Sequence, residues 1–505
     1  MNSPRRWLVL GWACLGVLLA AADLTALTTL IPQMTFDLEV PLPGGLNDVA
    51  WVVSAYLISN IVALPLSGRL ADRFDRRLVL IGSLCIFMLG SMSSALAPSL
   101  WLLVAARALQ GVGAGALVPI TMALATDLLP RSRWPLAFGL IAAVDTVGWA
   151  LGPLYGALFV SAPGLTWRGL FWANVPVALL AAAGSWYALR DLQRTPNRRP
   201  IDLSGAALLT LGLLTLNLGL GKLGGGASSG ISFDAQPATL PWQAALPWVV
   251  SGVVLLALFV VAELHVKEPL INLRWLLQPH IAAAGLVNVL FGALLITAAV
   301  NVPLFVNAVS TTTTGSPEAM VRSAALQSGL LLIVLTGLMA LCAPLGGSLA
   351  GRIGPAPVLL AGALCAMLGF WLMRSWTAAT LPLVLRGHLA LVGLGFGFLL
   401  APPAAVIIAA APAGERGLAS SLVILLRLSG MSLGLSALTA WSLARFNILS
   451  TGESLGGLTA ERIQQITVNV LTSTFTAATG LALLIMLLGL VRARRGIRTD
   501  TQTIT

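Results

Sequence analysis

The ten residues Gly68-Arg-Leu-Ala-Asp-Arg-Phe-Asp-Arg-Arg77 carry six charged side chains between two long apolar segments, 50–67 and 78–97. Each segment is close to the roughly 20 residues that an α-helix needs to cross a bilayer. A short charged stretch between two such segments is typical of a helical hairpin whose turn lies in water beside a membrane. The stretch therefore predicts two membrane-spanning helices.

The composition of the whole chain extends this prediction. Of the 505 residues, 57% are hydrophobic and 9% are charged, and the mean hydropathy is +0.92. A soluble globular protein has about 25% charged residues, so a water-soluble protein is excluded. Apolar segments bounded by charges, Pro or Gly predict fourteen spans, at 7–32, 50–67, 78–97, 100–125, 136–160, 169–189, 203–221, 246–264, 280–307, 323–348, 357–373, 381–411, 417–445 and 467–491.

The basic residues indicate the orientation of these spans. Twenty lie on one side of the predicted membrane and seven on the other, so the first side is predicted to be cytoplasmic, with both termini inside. The seven on the outer side are Arg168, Lys222, Arg322, Arg374, Arg386, Arg445 and Arg462. Because the basic residues follow the span ends, the net charge of +11 indicates topology and contact with anionic membrane lipids, not nucleic-acid binding.

A polar linker and a weak repeat predict two halves. The stretch 190–200 is the most polar in the chain, and the charged stretch 68–77 is echoed by Ser348-Leu-Ala-Gly-Arg-Ile-Gly354. Two six-helix bundles around a midplane site form a known transporter architecture. We predict an all-α membrane protein with an N-terminal bundle at 1–190, a linker with two inserted helices at 191–279, and a C-terminal bundle at 280–505.

The last two spans are longer than a membrane requires. Segments 417–449 and 459–491 each predict about 33 helical residues, or roughly 50 Å, whereas the hydrocarbon core is about 30 Å thick. We predict a hairpin that projects outside at about 440–470, with its tip at Ser450–Gly457. An ordinary loop is the alternative.

Four ionisable residues lie deep within apolar spans: Asp23, Arg107, Asp145 and Arg427. Intramembrane charges are costly and mark transport pathways, proton relays or internal ion pairs. A carboxylate whose partner changes between two conformations is a natural proton carrier. We predict that Asp23 and Asp145 exchange protons, that Arg427 is a mobile counter-ion, and that Arg107 tunes the first-half site. Static salt bridges between helices are the alternative.

Three motifs predict close packing or a gate. In the stretch 68–77, Asp72 can bind a neighbouring helix end while the arginines anchor at headgroups; topogenic charge alone is the alternative. Small residues at Gly111 and Gly115 share a helix face, a weak packing signal that begins at Arg107. The residues of the predicted cytoplasmic gate are Gly68, Asp72, Arg73, Arg76 and Arg77. Those of a closely packed, Pro-kinked fifth span are Gly148, Gly152, Pro153 and Gly156.

These motifs together resemble one transporter family. The stretch 68–77 is similar to the signature between spans two and three of the major facilitator superfamily, and residues 107–115 and 148–156 resemble its fourth-span and antiporter fifth-span motifs. Resemblance to the fourteen-span drug:proton antiporter branch lies in Ala22-Asp23-Leu-Thr25 with Pro32, in Trp51-Val-Val-Ser-Ala-Tyr56 and in Trp167–Pro176. This resemblance implies a role in proton coupling for Asp23 and Arg107.

A narrower resemblance is to the mycobacterial triacylglyceride exporters, which are also described as drug efflux pumps. It rests on Leu151–Gly156 with the acid at 145, on Arg427–Met431 and on Ala440–Asn447. It implies elongated final helices, a periplasmic lipoprotein partner and coupling through Asp23, Asp145 and Arg427. Two departures are that those exporters have Glu where Asp145 stands, and that the second half here has Gly351 where the first has Asp72.

Other function classes lack their sequence requirements. Gly221-Lys222 precedes Leu223 without the upstream glycine of a phosphate loop, so an ATP-driven pump is excluded. No filter repeat of a channel occurs, and the three histidines are too scattered for an intramembrane enzyme. We predict a monomeric, proton-driven exporter of lipids or lipophilic molecules in the bacterial cytoplasmic (inner) membrane, without a cofactor. A multidrug:proton antiporter and a solute importer are the alternatives.

Overall fold

The computed structural model describes residues 3–39, 46–161, 166–190, 203–223, 241–266, 277–310, 317–412, 415–449 and 460–502. These ranges contain fourteen α-helices. They are α1 Ser3–Asp37, α2 Leu46–Arg73, α3 Arg76–Ala95, α4 Leu100–Leu128, α5 Trp134–Ser161, α6 Trp167–Leu189, α7 Leu203–Leu223, α8 Pro241–His265, α9 Pro279–Ser310, α10 Pro317–Ile353, α11 Pro355–Met373, α12 Pro382–Ala410, α13 Arg416–Leu449 and α14 Ala460–Gln502.

Within the described ranges, thirteen of these helices are long and apolar enough to cross a membrane. The remaining helix, α7, has the shorter apolar segment Ser204–Leu216. Only helices and closed barrels satisfy every backbone hydrogen bond in lipid, which is why each apolar segment is helical. The predicted fourteen-helix, all-α membrane fold is thereby confirmed.

The charged stretch 68–77 is mostly helical. Helix α2 continues to Arg73 and α3 begins at Arg76, so only Phe74 and Asp75 separate the two helices. The Asp75 carboxylate accepts a hydrogen bond from the Arg77 N–H at 3.0 Å and caps the first turn of α3. This cap lets the chain reverse direction within two residues.

The final two helices are elongated, as the sequence predicts. Helix α13 has 34 residues and α14 has 43, or about 51 and 65 Å at 1.5 Å per residue. The apolar span of α13 ends at Leu435, so the helix runs a further 21 Å or so to Leu449. The predicted tip at Ser450–Gly457 and the polar linker at 191–200 lie outside the described residues.

The chain forms two compact units. One comprises residues 1–282 together with 404–425, and the other comprises 283–403 together with 426–505. In the first unit, α7 packs against α8 and also against α2, which attaches the two inserted helices to the N-terminal bundle. Helix α13 begins in the first unit and continues into the second.

Glycines set the closest helix contacts of the first unit. On α5, Gly148 and Gly152 lie against α1, and a Cβ atom at Gly152 would collide with the Thr25 hydroxyl and the Ala22 carbonyl. The Thr25 hydroxyl also donates a hydrogen bond to the Trp149 carbonyl at 3.0 Å. Small residues let the backbones approach, and dispersion contacts then stabilise the pair in lipid.

The second unit has a matching contact. On α13, Gly430 lies against the Val289 backbone of α9, and Gly434 lies against Ala293. In return, Gly292 of α9 lies against the Arg427 carbonyl. Helices α9 and α13 are therefore held together by the same small-residue device as α1 and α5.

The contact at Gly152 predicts opposite effects for two identical substitutions. Gly152→Ala should lower the melting temperature of the purified protein, because overpacking a filled contact costs about 1–3 kcal/mol. Gly11→Ala on α1 meets nothing within 4 Å and should leave the melting temperature unchanged or higher, since Ala favours a helix over Gly by about 1 kcal/mol. Equal melting temperatures for the two variants, measured by nanoscale fluorimetry in detergent, would contradict this packing.

Candidate functional site

An ion pair lies inside the first unit. The Arg107 Nη1 atom on α4 is 2.5 Å from the Asp23 Oδ2 atom on α1, and both side chains are 0% exposed. Burying two charges costs several kcal/mol per ion unless further hydrogen bonds compensate. The surroundings of the pair therefore determine whether it is stable.

The second carboxylate oxygen of Asp23 has its own donor. The Asn174 Nδ2 atom on α6 donates to Asp23 Oδ1 at 2.6 Å, and the Tyr155 hydroxyl on α5 donates to Asn174 Oδ1 at 3.0 Å. This chain of hydrogen bonds fixes the orientation of the Asn174 amide, which then points its N–H at the carboxylate. Asp23 therefore links α1 to α6, and Asn174 links α6 to α5.

Arg107 is held by aromatic and amide groups. Its guanidinium carbon lies 4.3 Å from the centroid of the Tyr56 ring and 5.7 Å from that of Phe171. Its Nη1 atom also donates to Gln110 Oε1 at 2.7 Å, one turn along α4. Cation–π contacts of this kind strengthen when they are desolvated, so the rings partly replace the water that the cation has lost.

This site has more donors than acceptors. Among the described residues, the buried Arg107 Nη2 and Gln110 Nε2 atoms have no hydrogen-bond partner. The Asp23 carboxylate accepts hydrogen bonds from both Arg107 and Asn174 and is the anionic partner of Arg107. A proton added to Asp23 would remove that anion and leave the Arg107 charge uncompensated.

The other two intramembrane charges occupy equivalent positions in the two units. Asp145 stands three residues before Gly148 on α5, and Arg427 stands three residues before Gly430 on α13. Both glycines pack against the partner helix of their own unit, α1 or α9. Asp145 is half-buried. The two units thus carry opposite charges at matching positions of matching helix pairs.

The gate motif binds the start of α13. The Asp72 carboxylate accepts hydrogen bonds from the Gly417 N–H at 2.9 Å and the Leu418 N–H at 3.0 Å. These N–H groups belong to the first turn of a helix, where they have no intrahelical acceptor and where the helix dipole favours an anion. We refer to the bonds between Asp72 and the α13 N-terminus as the latch.

Gly68 makes the latch possible. It lies one turn before Asp72, and a Cβ atom at this position would collide with the Ser421 hydroxyl and come within 3 Å of the Gly417 carbonyl and the Leu418 Cα atom. Any larger residue would push α13 away from the carboxylate. Gly68 therefore allows α2 and α13 to approach each other closely.

Three arginines of the motif, Arg73, Arg76 and Arg77, have different environments. Arg76 is buried, with Nη1 2.8 Å from Asp127 Oδ2 and Nη2 3.4 Å from Asp72 Oδ1, and it also donates to the Ala123 carbonyl. Arg77 lies 3.5 Å above the Trp186 ring, and Arg73 lies 5.5 Å from the Phe74 ring. Only Arg76 among these three joins the latch carboxylate to a second acid.

Several site residues were not identified from the sequence. Tyr56, Gln110, Tyr155 and Asn174 surround the Asp23–Arg107 pair, yet none carries a charge. Polar residues inside an apolar span were the available signal, since a buried amide needs a partner. In the part of the chain that the structure describes, no three His, Cys, Asp or Glu side chains are grouped as metal ligands would be.

The latch predicts protection of particular amides. Asp72→Ala should make the amides of Gly417 and Leu418 exchange with deuterium at least about fivefold faster, because a lost helix cap costs about 1 kcal/mol. Asp75→Ala is the matched control, since Asp75 caps α3; it should leave exchange at the start of α13 unchanged. Unaltered exchange in a 415–421 peptide of Asp72→Ala, measured by mass spectrometry, would show that the latch is absent.

The chain is similar to known proteins over most of its length. Residues 13–435 match the sequence model of the Major Facilitator Superfamily. The triacylglyceride transporter of Mycobacteroides abscessus is 33% identical over 452 residues, covering 87% of this chain and 83% of the relative. That of Mycobacterium tuberculosis is 32% identical over 473 residues, covering 90% and 86%.

Solved structures share the fold. The human organic anion transporter MFSD10 has a TM-score of 0.59 at 18% identity and covers 97% of this chain and 100% of its own. The proton:xylose symporter XylE has a TM-score of 0.59 at 14% identity and covers 96% and 97%. The chain is a multi-pass membrane transporter, not an enzyme, and it belongs to the major facilitator superfamily.

Proposed function

We propose that this protein is a proton-coupled exporter of lipids of the triacylglyceride type, acting by alternating access in a bacterial inner membrane with both termini in the cytoplasm. The observation that carries the proposal is the fully buried Asp23–Arg107 pair, with its dependent donors. Proton flow down its gradient supplies the energy, and no cofactor is required.

The coupling follows from the charge balance of the site. While Asp23 is ionised, its charge compensates Arg107 and accepts the Asn174 hydrogen bond. Protonation neutralises Asp23, so the conformation that gives Arg107 another anion or water becomes more stable. A ligand shifts a conformational equilibrium only through its different affinity for the two states, and here the proton is that ligand.

Asp145 and Arg427 provide further charges for proton coupling, one in each unit. Asp145 is half-buried and therefore more accessible to protons than Asp23, while Arg427 carries the opposite charge at the matching position of the second unit. We assign to Asp145 a second protonation site and to Arg427 the role of a mobile counter-ion. The latch at Asp72 closes the cytoplasmic side and opens during the cycle.

The lipid assignment has two supports. The relatives that match most of the chain are named triacylglyceride transporters, and α13 extends about 21 Å beyond its apolar span. A lipid leaving the membrane needs an apolar path above it, and the extended α13–α14 hairpin supplies a surface for that path. A periplasmic lipoprotein would then receive the lipid, with the transporter acting as a monomer.

Asp23→Asn tests the coupling. Transport driven by an imposed pH gradient should fall below a tenth of wild type, because the amide cannot be protonated, while energy-independent substrate exchange persists. Asp37→Asn is the matched control, since it makes the same chemical change at the exposed end of the same helix and should leave gradient-driven transport intact. Both variants are reconstituted in proteoliposomes after size-exclusion chromatography establishes that they are folded. Full gradient-driven transport by Asp23→Asn would overturn the mechanism.

Shortening the 440–470 hairpin tests the substrate. Proteoliposomes with an imposed pH gradient receive either a labelled triacylglyceride or a labelled lipophilic cation. Lipid transport should be lost in the shortened protein, because the lipid has no apolar path beyond the bilayer surface. Transport of the cation but not of the lipid by the intact protein would instead identify a multidrug:proton antiporter. Accumulation of a solute in the direction opposite to export would identify an importer.

A further inference from the structure

A polar cleft lies in the second unit. Its volume is about 300 Å³, at the lower end of the range for small-molecule pockets. Six of its seven lining residues are polar, and two of these are arginines. The lining residues are Arg374, Arg445, Leu449, Asn469, Thr472, Ser473 and Thr476.

The cleft includes residues near the ends of two apolar spans. Arg374 directly follows the apolar span Pro355–Met373, and Asn469 lies near the beginning of the span Gln464–Leu490. Two tryptophans near these residues in sequence, Trp371 and Trp441, are 54% and 52% exposed. Exposed tryptophans are typical of the interface between hydrocarbon and water.

Two exposed arginines give the cleft a positive charge. Arg374 and Arg445 are exposed, and among the side chains that the structure describes neither forms an ion pair. The sequence places both on the predicted outer side, where only seven of the 29 basic residues occur. An arginine guanidinium binds phosphate oxygens through two parallel hydrogen bonds, so two of them lining one cleft favour a phosphate group.

The hydroxyl groups of the cleft add acceptors. The Ser473 hydroxyl donates to the Val470 carbonyl at 2.6 Å and accepts from Trp441 Nε1 at 3.1 Å. The Thr472 hydroxyl donates to the Asn469 carbonyl at 3.1 Å. Since these protons are used within α14, the lone pairs of Thr472 remain to accept hydrogen bonds. The cleft therefore combines arginine donors with hydroxyl acceptors.

We propose that this cleft binds a phosphoglycerol group. Arg374 and Arg445 bind the phosphate oxygens, while the oxygens of Thr472 and Thr476 accept hydrogen bonds from the glycerol hydroxyls. Such a group belongs to an anionic membrane lipid, phosphatidylglycerol, or to soluble glycerol phosphate. The proposal does not depend on the proposed transport function, because it rests on the residues that line the cleft.

Binding to the full-length purified protein in a neutral detergent tests the site. Isothermal calorimetry is run with four probes: dioctanoyl phosphatidylglycerol, dioctanoyl phosphatidylcholine, sn-glycerol 3-phosphate and inorganic phosphate. The phosphatidylglycerol should bind saturably and at least tenfold more tightly than the phosphatidylcholine, which carries a cation and no free hydroxyl. R374Q/R445Q should weaken this binding at least tenfold. R386Q, which removes an exposed outer arginine that does not line the cleft, should leave it unchanged.

The probes also separate the two sources of the group. Glycerol phosphate that binds as tightly as the lipid identifies a soluble ligand, and binding at least tenfold weaker identifies the lipid. Should R374Q/R445Q fail to fold, the single variants R374Q and R445Q take its place, each with an expected loss of at least threefold. The proposal is overturned when no phosphate compound binds saturably, or when the arginine variants bind phosphatidylglycerol as wild type does.

Discussion

Burial of one ion pair constrains the packing of the first unit. Asp23 and Arg107 are both inaccessible to solvent, and breaking a buried pair by removing one partner typically costs 3–5 kcal/mol. The surrounding groups must therefore be placed to satisfy both charges. Asn174 on α6, Gln110 on α4 and Tyr56 on α2 do so in part, which links four helices around one carboxylate. The buried Arg107 Nη2 atom has no hydrogen-bond partner among the described residues.

Much of the fold could be predicted from the sequence, because lipid imposes a simple rule on it. Each apolar segment must form all of its backbone hydrogen bonds within itself, so the predicted spans are helices. The ends of the helices were less predictable. The apolar segment 50–67 ends at residue 67, yet α2 continues to Arg73. Hydropathy indicates whether a residue is surrounded by lipid or by water. It does not indicate where a helix ends, because the backbone hydrogen bonds of a helix can continue into water. Capping by Asp75, not loss of hydrophobicity, determines where α3 begins.

The site was predictable only in part, for a different physical reason. Charges such as Asp23 and Arg107 are conspicuous because they are rare in apolar spans. Uncharged polar residues such as Asn174 are common enough there that none is conspicuous. Which acid pairs with which base depends on which helices are neighbours. The residue pattern along a single helix does not reveal its neighbours. The spacing shared by Asp145 with Gly148 and by Arg427 with Gly430 was present in the sequence, and it gained meaning once both glycines were seen in helix contacts.

Helix α13 carries three of the features described above. Its first turn receives the latch at Gly417 and Leu418, and Arg427 lies ten residues from Gly417, about 15 Å along the axis. Arg445, at the cleft, lies a further 18 residues on, or about 27 Å. One continuous helix therefore carries the amides that Asp72 binds, the charge that we assign to coupling and the arginine that we assign to phosphate binding.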